Sequence, residues 1–456
     1  MSGNRTCIIG AGSSGMVAAK VLKERGLAFD CYELGSKIGG LWRYNNDNGM
    51  SAAYKSLHIN SSRQEMAFSD FPMPSHFPDF PHHSQILGYF EDYAEHFGLD
   101  QHIQFQSKVE QVERHCDGFN VTVLRDNLRT TKFYRHVIVA NGHHWSPMTA
   151  SFPGDFSGES LHSHDYKTPE SLAGKRVLVI GIGNSACDIA CEASRVAERV
   201  FLSTRRGAHI IPKYIFGKPL DRICPPAVWH YLPFKVLQRV FGAALYAARG
   251  RITRYGLPKP DHDILEEHPT VSSDLLNLIG HGKIHLKPNV SELAQEHIRF
   301  VDGTTEPIDV LIYATGYKIR FPFLSDSLMN ASGNEVPLYR KVVHPSVSNL
   351  YFVGLVQPWG PLMPLTEVQS EWIADILQGA SLLPTVKEME SAIALEREQM
   401  RRRYTNSPRH TIQVDFHPYR TLINQERKQG KYRRRKSPRV DSDSGLMLSD
   451  ERSRAA

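Results

Sequence analysis

A chain of 456 residues with 41% hydrophobic and 22% charged content is ordinary globular material, long enough for two or three domains with cores of their own. Its formal charge of +6 would suit a nucleic-acid partner, yet ten Lys or Arg and five Asp or Glu follow Gln425, and removing that +5 leaves a near-neutral body. No nucleic acid is therefore expected as a partner. The six cysteines form no CxxC pair or disulfide framework, which suits a reducing compartment. Cys187 and Cys191 share a helix face, and with no further Cys or His beside them they read as packing residues, so no metal is expected. A strand-like TCIIG begins almost at once, and no run is long and apolar enough for a transmembrane segment, so the expected location is cytoplasmic.

In chain order, RTCIIGAGSSGMVAAKVLKERGLAFDCYE reads as strand, glycine turn, amphipathic helix and second strand. A Pro- and His-rich loop near FPMPSHFPDFPHHS is followed by a helix from about Gln85 to Phe97. FNVTVLRD and KFYRHVIVANG alternate as a small antiparallel meander would. RVLVIGIGNSACDIACEASRVAERVFLSTRR then repeats the opening order, and VLIYATGY closes that second unit. Residues 215–256 form an aromatic-rich insert whose stretch VWHYLPFKVLQRVFGAALYAARG is helical apart from its proline, and it either packs on the second domain or forms a substrate mouth or membrane-touching patch. NLYFVGLVQPWGPLMPLTEVQSEWIADIL returns to strand and helix, and the polar stretch from 425 lacks periodicity and reads as disordered. The fold class is α/β, with two Rossmann-like domains, one inserted into the other. The expected bounds are 1–168 for the first part of the outer domain, 169–325 for the inserted domain, 326–424 for the return and 425–456 for the tail.

Both glycine turns carry chemistry. Gly10, Gly12 and Gly15 lie between a buried strand and a helix, where the first makes the turn, the second lets a pyrophosphate approach and the third lets helix and strand pack closely. The free N–H groups of the helix N-terminus then face the phosphates. Glu33, eighteen residues after Gly15, can accept hydrogen bonds from both hydroxyls of an unphosphorylated ribose. The second fingerprint is Gly181, Gly183 and Ala186, with Asn184 and Ser185 opening its helix. The place held by Glu33 in the first unit falls near Thr204 in the second, in the run Ser203, Thr204, Arg205, Arg206. Hydroxyls and guanidinium groups suit a 2′-phosphate that a carboxylate would repel. One site without and one site with phosphate-reading residues point to FAD and NADPH, with hydride transfer between them.

Between the fingerprints lies FSGESLHSHDY, whose Phe156, Gly158, His162 and Tyr166 follow the pattern F-x-G-x-x-x-H-x-x-x-Y. With both fingerprints and the ATGY motif at 314–317, this order resembles the flavin-containing monooxygenases from about residue 5 to residue 420. The resemblance implies that the signature lies where the two nucleotide domains meet, with His162 positioning rather than donating a proton. It implies that GGLW, with Gly40, Leu41 and Trp42, contacts FAD. It also places Asn60, within SLHINSSRQEMAFSDFP, at the flavin ring as the catalytic amide. Gln357, in GLVQPWGPLMP, would lie in the loop closing over the flavin, and Thr315 and Gly316 would line a nucleotide. The implied activity is NADPH- and oxygen-dependent: a C4a-hydroperoxyflavin oxygenates soft nucleophiles, giving N- or S-oxygenation of amines and sulfides, with molecular oxygen as co-substrate.

Baeyer-Villiger oxygenation of ketones is the nearest alternative, weakened by Tyr rather than Trp at position 166. A nucleotide-binding redox sensor or adaptor using the RRRK tail is the alternative from another class, and it leaves two complete fingerprints unused. A disulfide reductase lacks its CxxC. Mammalian family members end in a hydrophobic segment where this chain has a charged tail, so a soluble microbial-type member is expected; monomer and homodimer both stay open.

Overall fold

The computed structural model describes residues 4–223, 232–405, 407 and 410–436. Cys224, the residues of the insert from 224 to 231, and the tail from 437 lie outside the described residues.

Two five-stranded parallel sheets carry the architecture. The first has the order Leu350–Phe352, His136–Val139, Thr6–Ile9, Phe29–Tyr32, Ile103–Gln104. The second has the order Glu159–His162, Val310–Tyr313, Arg176–Ile180, Arg199–Ser203, Ile284–Lys287. TCII and HVIV are buried at every residue, and RVLVI at all but its first. Short apolar runs without alternation are what a sheet covered on both faces requires. In each unit the glycine-turn helix follows a central strand: Ser13–Glu24 after Thr6–Ile9, and Asn184–Ala193 after Arg176–Ile180. Leu350–Phe352 completes the first sheet from the far end of the chain, and the helix behind it, Met363–Leu377, packs on Ser13–Glu24. The second unit is thus inserted into the first.

Three expectations need correction. The antiparallel meander consists of Lys108–His115, Gly118–Arg125 and Leu128–Tyr134, whereas HVIV leaves it to join the parallel sheet. The bounds at 168 and 325 do not follow the strand pairing. Gly154–Phe156 pairs with Val290–Gln295, and Glu159–His162 with Val310–Tyr313, so both belong with the second unit. Ile319, Phe321, Phe323 and Leu324 are already buried with Val109 and Phe119 in the first unit's core. Strands of three or four residues are too short to show a period, so the crossing points were not readable. Third, the chain from 425 to 436 continues the helix Phe416–Lys436, in which Tyr419, Ile423, Glu426 and Gly430 are buried. Its inner face changes from apolar to charged: Glu426 accepts from Tyr339 Oη at 2.7 Å and pairs with Arg433, while Arg427 Nε donates to buried Asp375 at 2.9 Å. A search for apolar periodicity misses a face buried through ion pairs.

In the insert, the helix Phe234–Arg249 buries Leu237, Gln238 and Leu245, and leaves Val240 and Tyr246 exposed. Before it, a short hairpin pairs Tyr214–Ile215 with Lys218–Pro219.

Candidate functional site

The two glycine turns are built alike. Gly10 has φ +103°, and a Cβ there would lie 2.7 Å from the carbonyl oxygen of Ala140; Gly181 has φ +131°, and its Cβ would lie 2.5 Å from that of Ala314. Both glycines combine the left-handed region with a neighbouring strand's carbonyl, so only hydrogen fits. At Gly15 a Cβ would sit 1.8 Å from Gly10 O, whereas Ala186 takes the equivalent place fully buried. Gly12 and Gly183 precede their helices and supply no side-chain cap, which leaves the first N–H groups for an anion. Gly40, in the single turn Gly40–Trp42, leans on Gly12, since a Cβ on it would come 3.0 Å from Gly12 Cα. Leu41 accepts from Ser51 Oγ at 2.7 Å, and half-buried Trp42 packs on the first core.

Glu33 is buried at the edge of the first turn. One carboxylate oxygen accepts from Ala11 N at 2.7 Å; the other accepts from Gly35 N at 2.7 Å and Asn48 Nδ2 at 3.2 Å. Three of its roughly four acceptor positions are thus committed, which fixes its orientation and leaves capacity for about one hydroxyl. Gly354, which the sequence reading missed, bears directly on this cradle: at φ +78° its Cβ would meet Ser14 Oγ at 2.1 Å. Its signal was the first letter of GLVQPWG. Gln357 follows in a short strand, Gln357–Trp359, paired with Gln413–Asp415, and Trp359 Nε1 donates to Glu267 O at 2.8 Å.

Most of the predicted residues of the second cradle are already committed to protein partners. Asn184 is committed to the protein: its Oδ1 accepts from Val271 N at 2.6 Å and its Nδ2 donates to Pro269 O at 3.3 Å. Ser185 is half-buried in the first turn of the helix. Ser203 and Thr204 spend their hydroxyls on the carbonyls of Pro288 and Arg206, at 2.7 and 2.6 Å. Arg206 forms an ion pair with Glu267. Arg205 is exposed. Thr315 donates to Met148 O, and Met148 N returns a bond at 2.9 Å to the carbonyl of Gly316, itself at φ +95°.

The F-x-G-x-x-x-H-x-x-x-Y signature has a separate contact for each of its places. A Cβ at Gly158 would lie 2.6 Å from both Asp309 O and the ring of Phe156, so the glycine lets that ring fold over the chain. His162 is buried edge-on to Tyr317 of the ATGY motif at 5.3 Å, and its Nδ1 accepts from His164 N at 3.1 Å. Burial holds the His162 ring below the usual histidine range, which suits a neutral spacer rather than a proton donor. Tyr166 Oη donates to Glu192 on the second glycine-turn helix at 2.6 Å, while Tyr54, from the first unit, donates to Asp188 of the same helix. Lys167 adds bonds to the carbonyls of Ser51 and Ala53 at 2.7 and 3.1 Å. The signature therefore joins the segment 51–54 to the second nucleotide helix. Asn60 lies six residues beyond Tyr54, exposed in the bend after buried Ile59. Among the described residues no group of three or more His, Cys, Asp or Glu could hold a metal, and no helix is long and apolar enough to cross a membrane.

The comparisons agree with this geometry. Residues 3–426 match the family model described as flavin-binding monooxygenase-like. Flavin-containing monooxygenase 5 of Oryctolagus cuniculus is 41% identical over 435 residues, which are 91% of this chain and 81% of that protein. Flavin-containing monooxygenase 3 of Homo sapiens is 36% identical with the same coverage. Among solved structures, the S-allyl-L-cysteine S-oxygenase of Allium sativum superposes with a TM-score of 0.69 at 26% identity, covering 96% of this chain and 95% of that one. Cyclohexanone monooxygenase shares the fold alone, with a TM-score of 0.69 at 19% identity over 94% of this chain and 98% of that one. Two glycine cradles shaped for dinucleotides and a match over nearly the whole chain lead to one assignment: the protein belongs to the flavin-containing monooxygenase family and uses FAD and NADPH.

Proposed function

We propose that the protein is an N- or S-oxygenase of soft nucleophiles, in which the first cradle holds FAD and the second holds NADPH. Gly10, Gly15 and Gly40 would shape the FAD cradle, because a Cβ on each would crowd backbone at 2.7, 1.8 and 3.0 Å, and Gly12 would leave the space above the helix N-terminus open to the pyrophosphate. Glu33 would take a ribose hydroxyl on its remaining acceptor position. Gly181 and Gly183 would do the same for the nicotinamide nucleotide, with Arg205 on the 2′-phosphate. When bound, the flavin supplies the oxygen chemistry, and the protein's part is to orient the two nucleotides and exclude water. Asn60 contributes a neutral amide that both donates and accepts without carrying charge.

The observation that carries this reading is the pairing of both cradles with a signature that ends in Tyr166 rather than Trp. The S-oxygenase likeness at 26% identity supports the substrate class. Purified protein given NADPH, oxygen and a matched panel of tertiary amines, thioethers and ketones should yield N-oxides or sulfoxides by mass detection. Lactone or ester products from ketones, with no sulfoxide formed, would overturn it.

A further inference from the structure

Asn60 is gripped from outside its own domain. One residue before it, Ile59 offers its carbonyl to Lys213 Nζ at 3.1 Å; two residues after it, Ser62 N donates to Asp221 Oδ2 at 2.6 Å. Both grips come from the second unit, on either side of the hairpin Tyr214–Ile215 and Lys218–Pro219. Leu220 N bonds to Lys213 O at 3.0 Å and closes the base of that hairpin, so the two gripping residues move as one piece. Two further contacts brace it. Tyr214 Oη donates to Asp79 Oδ2 at 2.9 Å, and the Lys213 amine lies 5.0 Å from the centre of the Phe80 ring. The 79–81 strip in turn supports the Asn60 segment, since Arg63 N donates to Asp79 O at 2.8 Å and Ile59 N to Pro81 O at 3.1 Å.

Resting on the reading of Asn60 as the flavin-facing amide, we propose that Lys213 and Asp221 are positioning residues: a clamp from the nicotinamide-nucleotide domain that sets the Asn60 segment and ties its geometry to that domain. The chemistry fits the task. The Asn60 side chain is exposed, so its orientation depends on the backbone that carries it. Backbone groups on both sides of Asn60 are held by charged side chains, and charge-assisted hydrogen bonds are about twice as strong as neutral ones. Burial pushes the Lys213 amine below the usual lysine range, while Asp188 and Asp274 act in the opposite direction; Asp188 lies on the second glycine-turn helix. The clamp thus joins the backbone on either side of Asn60 to the second unit.

The test uses the FAD-loaded full chain with K213M, K213R, D221A and D221N. Hydrogen-deuterium exchange over residues 57–66 should rise about ten-fold in K213M and D221A, the loss of one charged hydrogen bond, with exchange in Ser13–Glu24 unaltered. D221N keeps an acceptor and K213R keeps a donor, so both should restore protection. Sulfoxide formed per NADPH consumed should fall, and hydrogen peroxide rise, in the two disruptive variants. In an N60D background K213M should add no further loss. Unchanged exchange in K213M and D221A would overturn the clamp, and raised exchange with full coupling would overturn its action on Asn60. Full coupling in N60D alone would instead overturn the reading of Asn60, and exchange would still judge the grip.

Discussion

Arg205 and Arg206 are adjacent in the chain and unequal in the fold. Arg206 is already paired with Glu267, so a phosphate must compete for it, whereas Arg205 is exposed. Arg205→Ala should raise the KM for NADPH by ten- to a hundred-fold, about 1.5 to 3 kcal/mol of charge-assisted hydrogen bonding, and leave NADH little changed. Arg206→Ala should have the smaller effect on the coenzyme ratio. Flavin reduction followed at varied NADPH and NADH measures both, and equal effects would mean that Arg206 leaves Glu267 for the coenzyme. For Asn60, Asp keeps the size, removes both N–H donors and introduces a charge. Asn60→Asp should retain bound FAD yet release hydrogen peroxide in place of product, since one donor at such a site is worth about 3 kcal/mol. Simultaneous assay of NADPH loss, peroxide and sulfoxide decides it. The fingerprint glycines and Glu33 were legible because their chemistry is local, a turn, a close approach and a strand end. The commitments of Arg206 and Asn184, and the bearing of Gly354 on Ser14, were not legible, because each depends on a partner dozens to hundreds of residues away.

At the level of elements, six of the ten parallel strands, from Thr6–Ile9 to Leu350–Phe352, and both glycine-turn helices could be read from apolar runs and 3.6-residue spacing, whereas Ile103–Gln104, Glu159–His162 and Ile284–Lys287 were not read and His136–Val139 was read as antiparallel. The terminal helix Phe416–Lys436 was not read as a helix, and its apolar signal covers only the first half. Phe416, Tyr419 and Ile423 make an apolar seam; below it Glu426, Arg427, Gly430 and Arg433 continue the same face with ion pairs and a glycine contact. A Cβ at Gly430 would lie 1.9 Å from Ser381 Oγ, so the helix lies tight against the turn after Met363–Leu377. Ending the chain after Ile423 should therefore strip Arg427 and Lys431 from Asp375, which is 1% exposed, and take the acceptor from Tyr339. Removing partners from a buried charge costs about 3 kcal/mol or more. The expected result is a lowered thermal midpoint with loss of flavin, whereas ending the chain after Lys436 keeps every one of these contacts and should leave both unchanged. Scanning calorimetry and FAD absorbance on the two truncated proteins give the comparison, and an unaffected shorter protein would show that the charged half of the helix contributes nothing.

At the scale of the whole molecule, the two nucleotide units meet at the second glycine-turn helix, where Tyr54 of the first unit bonds beside Tyr166 and buried Glu192 of the second. Tyr54 and Tyr166 donate to Asp188 and Glu192 on a single helix, and Glu192 is 9% exposed. Burial pushes the Glu192 carboxyl above the usual range; the Tyr166 bond pulls it back, and nearby Asp188 pushes it further up. A carboxyl with a folded-state pKa above its unfolded value binds more protons when folded, so its contribution to stability is complete below the unfolded value and is lost as pH rises through the folded one. Glu192→Gln keeps an oxygen for Tyr166 and carries no charge to desolvate. The variant should match the parent at about pH 4, near the unfolded glutamate value, and gain on it as pH rises toward 7. Urea denaturation followed by far-ultraviolet circular dichroism at fixed pH values across that interval measures the difference. Parallel stability curves would mean that Glu192 titrates alike in both states and that its burial beside Tyr166 carries no charge penalty.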